Sequence, residues 1–281
     1  MTDELTTTVP RTTLIDGTTI PQLGFGVFKV DDDGAERAVT TALETGYRLI
    51  DTAKLYGNEA GVGRAVRASG LPRDEVYVTS KVWNDDQGYD ATMRAFEGSA
   101  ERLDLGVVDL FLIHWPVPSQ DLYLDSWRAL LHLKEQGAIR SVGVSNFLPA
   151  HLERIIAEQG VVPVLNQVEL HPRLQQRELR AFHDANGIAT EAWSPLGRDS
   201  GLLDDPVVQG IAAARGVTPA QVVLRWHLDQ GTIVIPKSVT PARIAENFDV
   251  FGFSLGEDDH RALDGMERGS RIGPDPEVFG A

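Results

Sequence analysis

The stretch Val107-Val108-Asp109-Leu110-Phe111-Leu112-Ile113 is apolar at every position but Asp109, and it runs straight into His114-Trp115-Pro116. A strand with one face in water alternates apolar and polar side chains. A strand of a parallel sheet, covered on both faces, reads instead as a near-continuous apolar run. On either side of 108–114, comparable runs recur at 23–27, 49–51, 76–81, 139–145, 164–169, 188–193 and 232–235, eight strands in all. Most intervals between them carry a helical pattern, as at 34–45, 89–105, 125–136, 152–158 and 176–186. Several of these segments close on a glycine suited to a left-handed cap: Gly46, Gly106, Gly137 and Gly187. The seventh interval is longer and holds two helical segments. Asp205-Pro206 opens one and Gly216 closes it; Thr218-Pro219, a cap followed by a first-turn proline, opens the other.

Ahead of this series, residues 12–20 alternate around Asp16-Gly17, a pair suited to the φ > 0 positions of a tight hairpin turn. Eight β/α units in about 250 residues match a (β/α)₈ TIM barrel in size and order. The expected fold is therefore an α/β TIM barrel with an N-terminal β-hairpin and two extra helical segments. A doubly wound open sheet is the competing arrangement. No linker or composition break divides the chain, so 1–281 reads as a single domain.

Composition narrows the chemistry. The chain has 281 residues and no cysteine, which excludes disulfides, thiolate nucleophiles and sulfur-ligated zinc. Lys and Arg number 26 against 41 Asp and Glu, a formal charge of −15, so the surface field repels nucleic acid and anionic lipid. A phosphate-bearing ligand would then need basic residues gathered locally. No apolar run approaches the roughly 20 residues of a membrane span. The start of the chain, Met1 to Arg11, is polar and lacks the features of a secretory signal, so the expected location is cytoplasmic and no membrane partner is expected.

In a (β/α)₈ barrel the reactive groups sit at the C-terminal ends of the strands. Here those ends carry Asp51-Thr52-Ala53 followed by Tyr56, Lys81-Val82-Trp83, His114-Trp115-Pro116, Ser145-Asn146-Phe147, Asn166-Gln167 with Glu169, Trp193-Ser194-Pro195 and Pro236-Lys237-Ser238. Asp51 and Lys81 each follow an apolar strand, where an unpaired charge is costly and a pair is tolerable. A lysine beside a tyrosine hydroxyl stabilises the phenolate, so Tyr56 is expected to have its pKa lowered toward the range of a general acid. Each residue alone also fits a plainer role: a structural ion pair, a satisfied core histidine, a loop tyrosine. Their joint appearance on adjacent strand ends is what points to a site.

Over essentially its whole length the chain resembles the aldo-keto reductase superfamily. The residues that carry the resemblance are Gly24-Phe25-Gly26-Val27-Phe28, Asp51-Thr52-Ala53 with Tyr56 and Asn58-Glu59, Lys81, His114-Trp115-Pro116 and Gly143-Val144-Ser145-Asn146-Phe147. Asn166-Gln167-Val168-Glu169-Leu170-His171-Pro172, Ser194-Pro195-Leu196-Gly197 and Ile235-Pro236-Lys237-Ser238-Val239-Thr240 extend it. Its look is nearest the bacterial 2,5-diketo-gluconate and methylglyoxal reductases. The resemblance implies a catalytic tetrad of Asp51, Tyr56, Lys81 and His114, with Tyr56 as proton donor in the reduction of aldehydes and ketones.

It also implies NADP(H), bound extended across the barrel mouth. The sequence agrees that no dinucleotide fingerprint is present: Gly24-x-Gly26 lacks a third glycine, and Gly61-x-Gly63 falls in a helical segment. The nicotinamide would stack on Trp193, with Ser145, Asn146 and Gln167 on its carboxamide. Ser194, Leu196 and Gly197 belong to the same implied cofactor set, and the loop from Gly197 to Asp204 is the expected flap over the pyrophosphate. Lys237, Ser238, Val239, Thr240, Arg243, Glu246 and Asn247 would form the adenosine end, Lys237 and Arg243 holding the 2′-phosphate. The substrate pocket is expected from Phe28, Trp83, Asn84 and Trp115, plus the tail from Arg271 to Phe279.

Aromatic walls of this kind suit small carbonyl compounds and discriminate weakly among them; methylglyoxal, 2,5-diketo-gluconate and quinones stay open. Metal-dependent hydrolysis needs clustered ligands, and only His114 and His171 fall near strand ends, so no metal site is expected. A catalytically silent NADP(H)-binding or structural protein on the same fold is the alternative, and a monomer is the expected state.

Overall fold

The computed structural model describes residues 9–280. Most of the polar N-terminal stretch, and with it the expectation about targeting, therefore lies outside the described residues. The chain opens on an antiparallel hairpin, β1 (Arg11–Thr13) and β2 (Thr19–Pro21), turned at Gly17 with φ 82°. Eight parallel strands follow: β3 (Phe25–Gly26), β4 (Leu49–Asp51), β5 (Tyr77–Val82), β6 (Val108–Ile113), β7 (Ile139–Ser145), β8 (Leu165–Glu169), β9 (Ala189–Trp193) and β10 (Ile233–Val234). They pair in chain order. The ring closes where Gly24 N donates to Val234 O (2.8 Å) and Val234 N to Gln22 O (2.9 Å). This is the TIM barrel expected, and the open sheet is excluded.

Among the described residues ten α-helices surround the strands: α1 (Asp32–Thr45), α2 (Glu59–Ala68), α3 (Tyr89–Leu103), α4 (Tyr123–Glu135), α5 (Pro149–Gln159), α6 (Arg177–Asn186), α7 (Pro206–Arg215), α8 (Pro219–Asp229), α9 (Pro241–Phe248) and α10 (Glu257–Asp264). The two in the seventh crossover begin as their caps predict. Asp205 accepts from Val207 N, and Thr218 forms a reciprocal box with Gln221.

Two apolar layers follow from the strand period of two. In β6, Leu110 and Leu112 point into the barrel with Leu49, Leu165 and Ile233, and the hairpin's Leu14 and Ile20 plug its floor. Phe111 and Ile113 point outward, into the layer between strands and helices. Each such side chain contributes about 1.5–3 kcal/mol on burial.

Some boundaries differ from expectation for local reasons. Gly106 does not cap α3. Asp104 takes the left-handed position there, at φ 50°, and Gly106 turns the chain two residues later. Likewise α4 ends on Gln136 in right-handed conformation, with Gly137 just beyond. Gly61 and Gly63 lie within α2, where a Cβ would come within 2.0 Å of the carbonyl oxygens of Asp32 and Leu103. They serve helix packing. No single helix among the described residues is long and apolar enough to cross a membrane.

Candidate active site

The strand ends gather the four residues. Lys81 Nζ is fully buried and donates to both carboxylate oxygens of Asp51 (2.7 and 2.8 Å) and to Thr52 O (2.9 Å). Burial is the largest single influence on Lys81 and opposes its charge, but the field and hydrogen bond of Asp51, with Tyr56 and Glu191, together outweigh it and hold the ammonium above its ordinary range. Removing one partner of such a buried pair costs about 3–5 kcal/mol. The Tyr56 ring centre lies 5.3 Å from that nitrogen and 5.8 Å from the His114 ring.

For Tyr56 the expected direction is corrected. Burial pushes the phenol up, Lys81 pulls it down, and the net shift is upward from 10. Dehydration of a phenolate at the barrel mouth is the larger effect, so Tyr56 keeps its proton. Burial, then the Lys81 charge, holds His114 well below 6.5. Its ring is neutral, its Nδ1 is buried without a partner among the described residues, and Nε2 is left for the cavity.

The loop bearing Tyr56 is fixed from behind by Asn58 and Glu59. Asn58 Nδ2 donates to Val27 O and Val30 O (3.0 and 2.8 Å), and its Oδ1 accepts from Thr52 (2.7 Å). Buried Glu59 accepts from Ser80 (2.5 Å) and from Arg102 (2.8 and 2.6 Å).

Around the rim, Ser145 Oγ donates to Gln167 O (2.8 Å), Asn146 Nδ2 to His114 O (2.9 Å), and Trp193 Nε1 to Asn146 Oδ1 (2.8 Å). Trp193 is thereby anchored at the rim with one ring face toward the cavity. That face is met by Arg198, whose guanidinium lies 5.2 Å from the centres of both Trp193 and Phe28 and donates to Ser194 Oγ (2.6 Å).

These residues enclose a cavity of about 540 Å³ lined by Phe28, Asp51, Tyr56, Trp83, His114, Trp115, Asn146, Gln167, Trp193, Ser194, Leu196, Arg198 and Lys237. A second groove, about 1050 Å³, continues between α1 and the start of α9 past Lys29, Lys237 and Val239. Among the described residues, Lys29, Lys237 and Arg243 have no carboxylate partner within 4.0 Å, whereas most other cations are paired. In a chain of formal charge −15, unpaired cations at one mouth make an anion site.

Residues 22–268 match the model of the aldo/keto reductase family. The chain belongs to this family. An aldo-keto reductase of Mycolicibacterium smegmatis is 56% identical over 96% of this chain and 98% of its own. The methylglyoxal reductase DkgA of Yersinia pestis is 53% identical over 97% and 98%. The crystal structure of a Gox0644 mutant in complex with NADPH superposes with a TM-score of 0.93 at 49% identity, covering 97% of this chain and 99% of that one.

The reductase does not bring every expected residue to the cavity. Ser145 and Gly197 stand behind the lining, Gly197 turning the chain at φ 71°. Asn84 is buried beneath the tail, its Nδ2 near Gly280. Of the residues expected at an adenosine end, Lys237, Val239, Thr240 and Arg243 are exposed, while Ser238 and Asn247 are buried and Ser238 Oγ accepts from Thr240 N (3.1 Å). Glu246 is spent on Thr218 (2.9 Å).

The tail completes the aromatic wall. Phe279 packs 4.4 Å from Trp115 and 6.3 Å from Trp83. It is fastened by Glu169, which accepts from Ile272 N (2.6 Å) and Gly273 N (2.7 Å) and pairs with His171 (3.1 Å). Burial works against that carboxylate, yet these bonds hold it below 4.5. A Cβ on Gly273 would stand 2.4 Å from the Trp193 ring, so only glycine passes.

Sequence reasoning missed Arg198 and Glu191. Glu191 is fully buried on β9 and accepts from Gln167 Nε2 (2.9 Å). Its signal was available: an acidic residue two positions before Trp193 shares the inward face of the strand.

Proposed function

We propose that this family member is an NADPH-dependent carbonyl reductase, a single barrel domain acting on small aldehydes and ketones with Tyr56 as proton donor. The observation that carries this is the placement of a protonated phenol and a neutral imidazole on one cavity wall, directly above a buried Lys81–Asp51 pair. The residues present fit the cofactor. Trp193 offers an anchored ring face, Gln167 keeps an unspent carbonyl oxygen beside it, and Lys29, Lys237 and Arg243 are cations without carboxylate partners among the described residues. The Gox0644 relative binds NADPH.

When bound, NADPH supplies the hydride. Trp193, Asn146 and Gln167 hold the nicotinamide end against the tetrad, while Lys237 and Arg243 meet the 2′-phosphate, which favours NADPH over NADH. His114 Nε2 orients the substrate carbonyl toward the phenol. Tyr56 gives its proton to the carbonyl oxygen as charge develops there, and Lys81, locked on Asp51, stabilises the phenolate left behind. The aromatic wall and tail exclude water around the reacting carbonyl.

The Y. pestis relative carries the name methylglyoxal reductase, which makes methylglyoxal the first substrate to try. Nicotinamide absorbance followed with methylglyoxal and an aldehyde panel, beside Tyr56→Phe, tests the reading. Turnover with NADPH that collapses in the variant supports it. Tight cofactor binding with no turnover on any carbonyl would instead favour a silent binding protein.

A further inference from the structure

Glu191 is a carboxyl group that carbonyl reduction by the tetrad does not use. It lies opposite Gln167 in the β8–β9 register and points into the barrel, fully buried. One nitrogen, Gln167 Nε2, donates to two carboxylates at once: Asp51 Oδ2 (2.8 Å) and Glu191 Oε1 (2.9 Å). Both amide hydrogens are thus consumed below the cavity floor. Flipping the amide would set its oxygen against the ionised Asp51 carboxylate, so the Gln167 carbonyl is left toward the cavity as an acceptor.

The charge balance is equally constrained. Lys81 and Asp51 cancel, and an ionised Glu191 would be an uncompensated anion in the same buried cluster. The groups that face it are Asp51 from β4, Lys81 and Tyr77 from β5 and Gln167 from β8. Ile233 of β10 and the hairpin's Leu14 and Ile20 bring no charge. Burial, then Asp51, pushes the Glu191 carboxyl up to about 8. Its Oε2 has no partner among the described residues, so ionisation would leave a buried anionic oxygen with no donor to meet it.

We propose that Glu191 is a positioning residue of the cofactor site: it fixes the Gln167 amide so that its carbonyl meets the nicotinamide carboxamide, and by ionising it tilts the site toward the oxidised cofactor. The oxidised ring carries a positive charge that the reduced ring lacks. An anion one amide away attracts the former and is indifferent to the latter. The proposal rests on the assignment of NADP(H) to this cavity.

Binding of NADPH and of NADP⁺ is measured by quenching of tryptophan fluorescence between pH 6.5 and 9.5, in wild type, Glu191→Gln and Glu191→Met. The 2′-phosphate titrates alike in both cofactors and drops out of their affinity ratio. In wild type that ratio moves toward NADP⁺ by about fivefold to tenfold as pH rises through 8, the size expected of one partly screened charge. In Glu191→Gln, which keeps the acceptor and removes the ionisation, the ratio stays flat while affinity near neutral pH is kept. In Glu191→Met, which frees Gln167, both affinities fall.

A flat ratio in wild type, or the same pH dependence in Glu191→Gln, overturns the proposal. Thermal unfolding without cofactor gives an independent readout. A carboxyl whose pKa is raised in the fold from 4.5 to about 8 contributes stability that is lost as pH rises through that window. Wild type should lose it and Glu191→Gln should not; equal curves count against the proposal. Failure of wild type to bind either cofactor would remove the assignment beneath it, a different result from binding with no change of ratio.

Discussion

The two ends of the proposed cofactor site are built on opposite terms. At the tetrad, Lys81 is wholly buried, all its donors are spent on Asp51 and Thr52, and the loop bearing Tyr56 is tied down by Asn58 and Glu59. At the adenosine end, Lys237 and Arg243 stand in solvent without carboxylate partners among the described residues. Chemistry needs groups that do not reorganise as charge moves, which only a dense hydrogen-bonded floor provides. Ligand capture needs cations that are still hydrated and reachable, since a paired cation has little left to offer.

This contrast is tested most severely by Tyr56→Phe. Its turnover should fall about 10²–10⁴-fold, the usual share of a positioned proton donor, with NADPH affinity nearly unchanged by fluorescence titration. A variant that lost affinity in step with turnover would blur the division. The opposite pattern is expected of Lys237→Ala and Arg243→Ala. Each should raise the KM for NADPH by about 10–100-fold, the worth of a charge-assisted hydrogen bond, with NADH turnover little changed and salt dependence weakened. Equal losses with both cofactors would show that these cations do not read the 2′-phosphate.

The buried end should also be insensitive to pH where an exposed histidine would not be. Because His114 is held well below 6.5, its ring stays neutral as pH falls through that value. The kcat/KM for reduction should therefore show no acid limb near 6.5, and a limb there would mean that the imidazole is far wetter than its surroundings imply. At the tail, Phe279→Ala should raise the KM for an aromatic aldehyde by about 2–10-fold, from the loss of an aromatic contact, with kcat nearly intact. The smallest effect is expected of Arg198→Ala. It clears the Trp193 face of a guanidinium worth about 0.5–2 kcal/mol there, so NADPH should bind somewhat more tightly; weaker binding would assign Arg198 to the cofactor's phosphates instead.

The barrel was legible because a strand buried on both faces is written as an unbroken apolar run, and Leu110 to Ile113 divides between the two layers by parity alone. The meeting of these four residues was legible because a charge at the end of such a run is costly to bury, so Asp51, Lys81 and His114 stand out against the apolar residues before them. Glu191 went unremarked because parity with Trp193 gives only its inward face, and what it does there depends on Gln167 and Asp51, which come from other strands. Arg198 lies on a loop with φ 46°, a conformation that no side-chain pattern announces. The direction of the Tyr56 shift turned on the balance of burial against a neighbouring charge, and only coordinates weigh those two.

Glu169 fastens the tail by grasping two main-chain N–H groups, and main-chain groups are the same in every amino acid but proline. Beyond the requirement for glycine at position 273, the fastening is blind to what the tail is made of. The segment 274–279, which lines the cavity at Pro274 and Phe279, can thus be rewritten by mutation while its attachment and the residues below stay as they are. Heredity here separates what the enzyme does from what it does it to, and selection is free to change the second without risking the first.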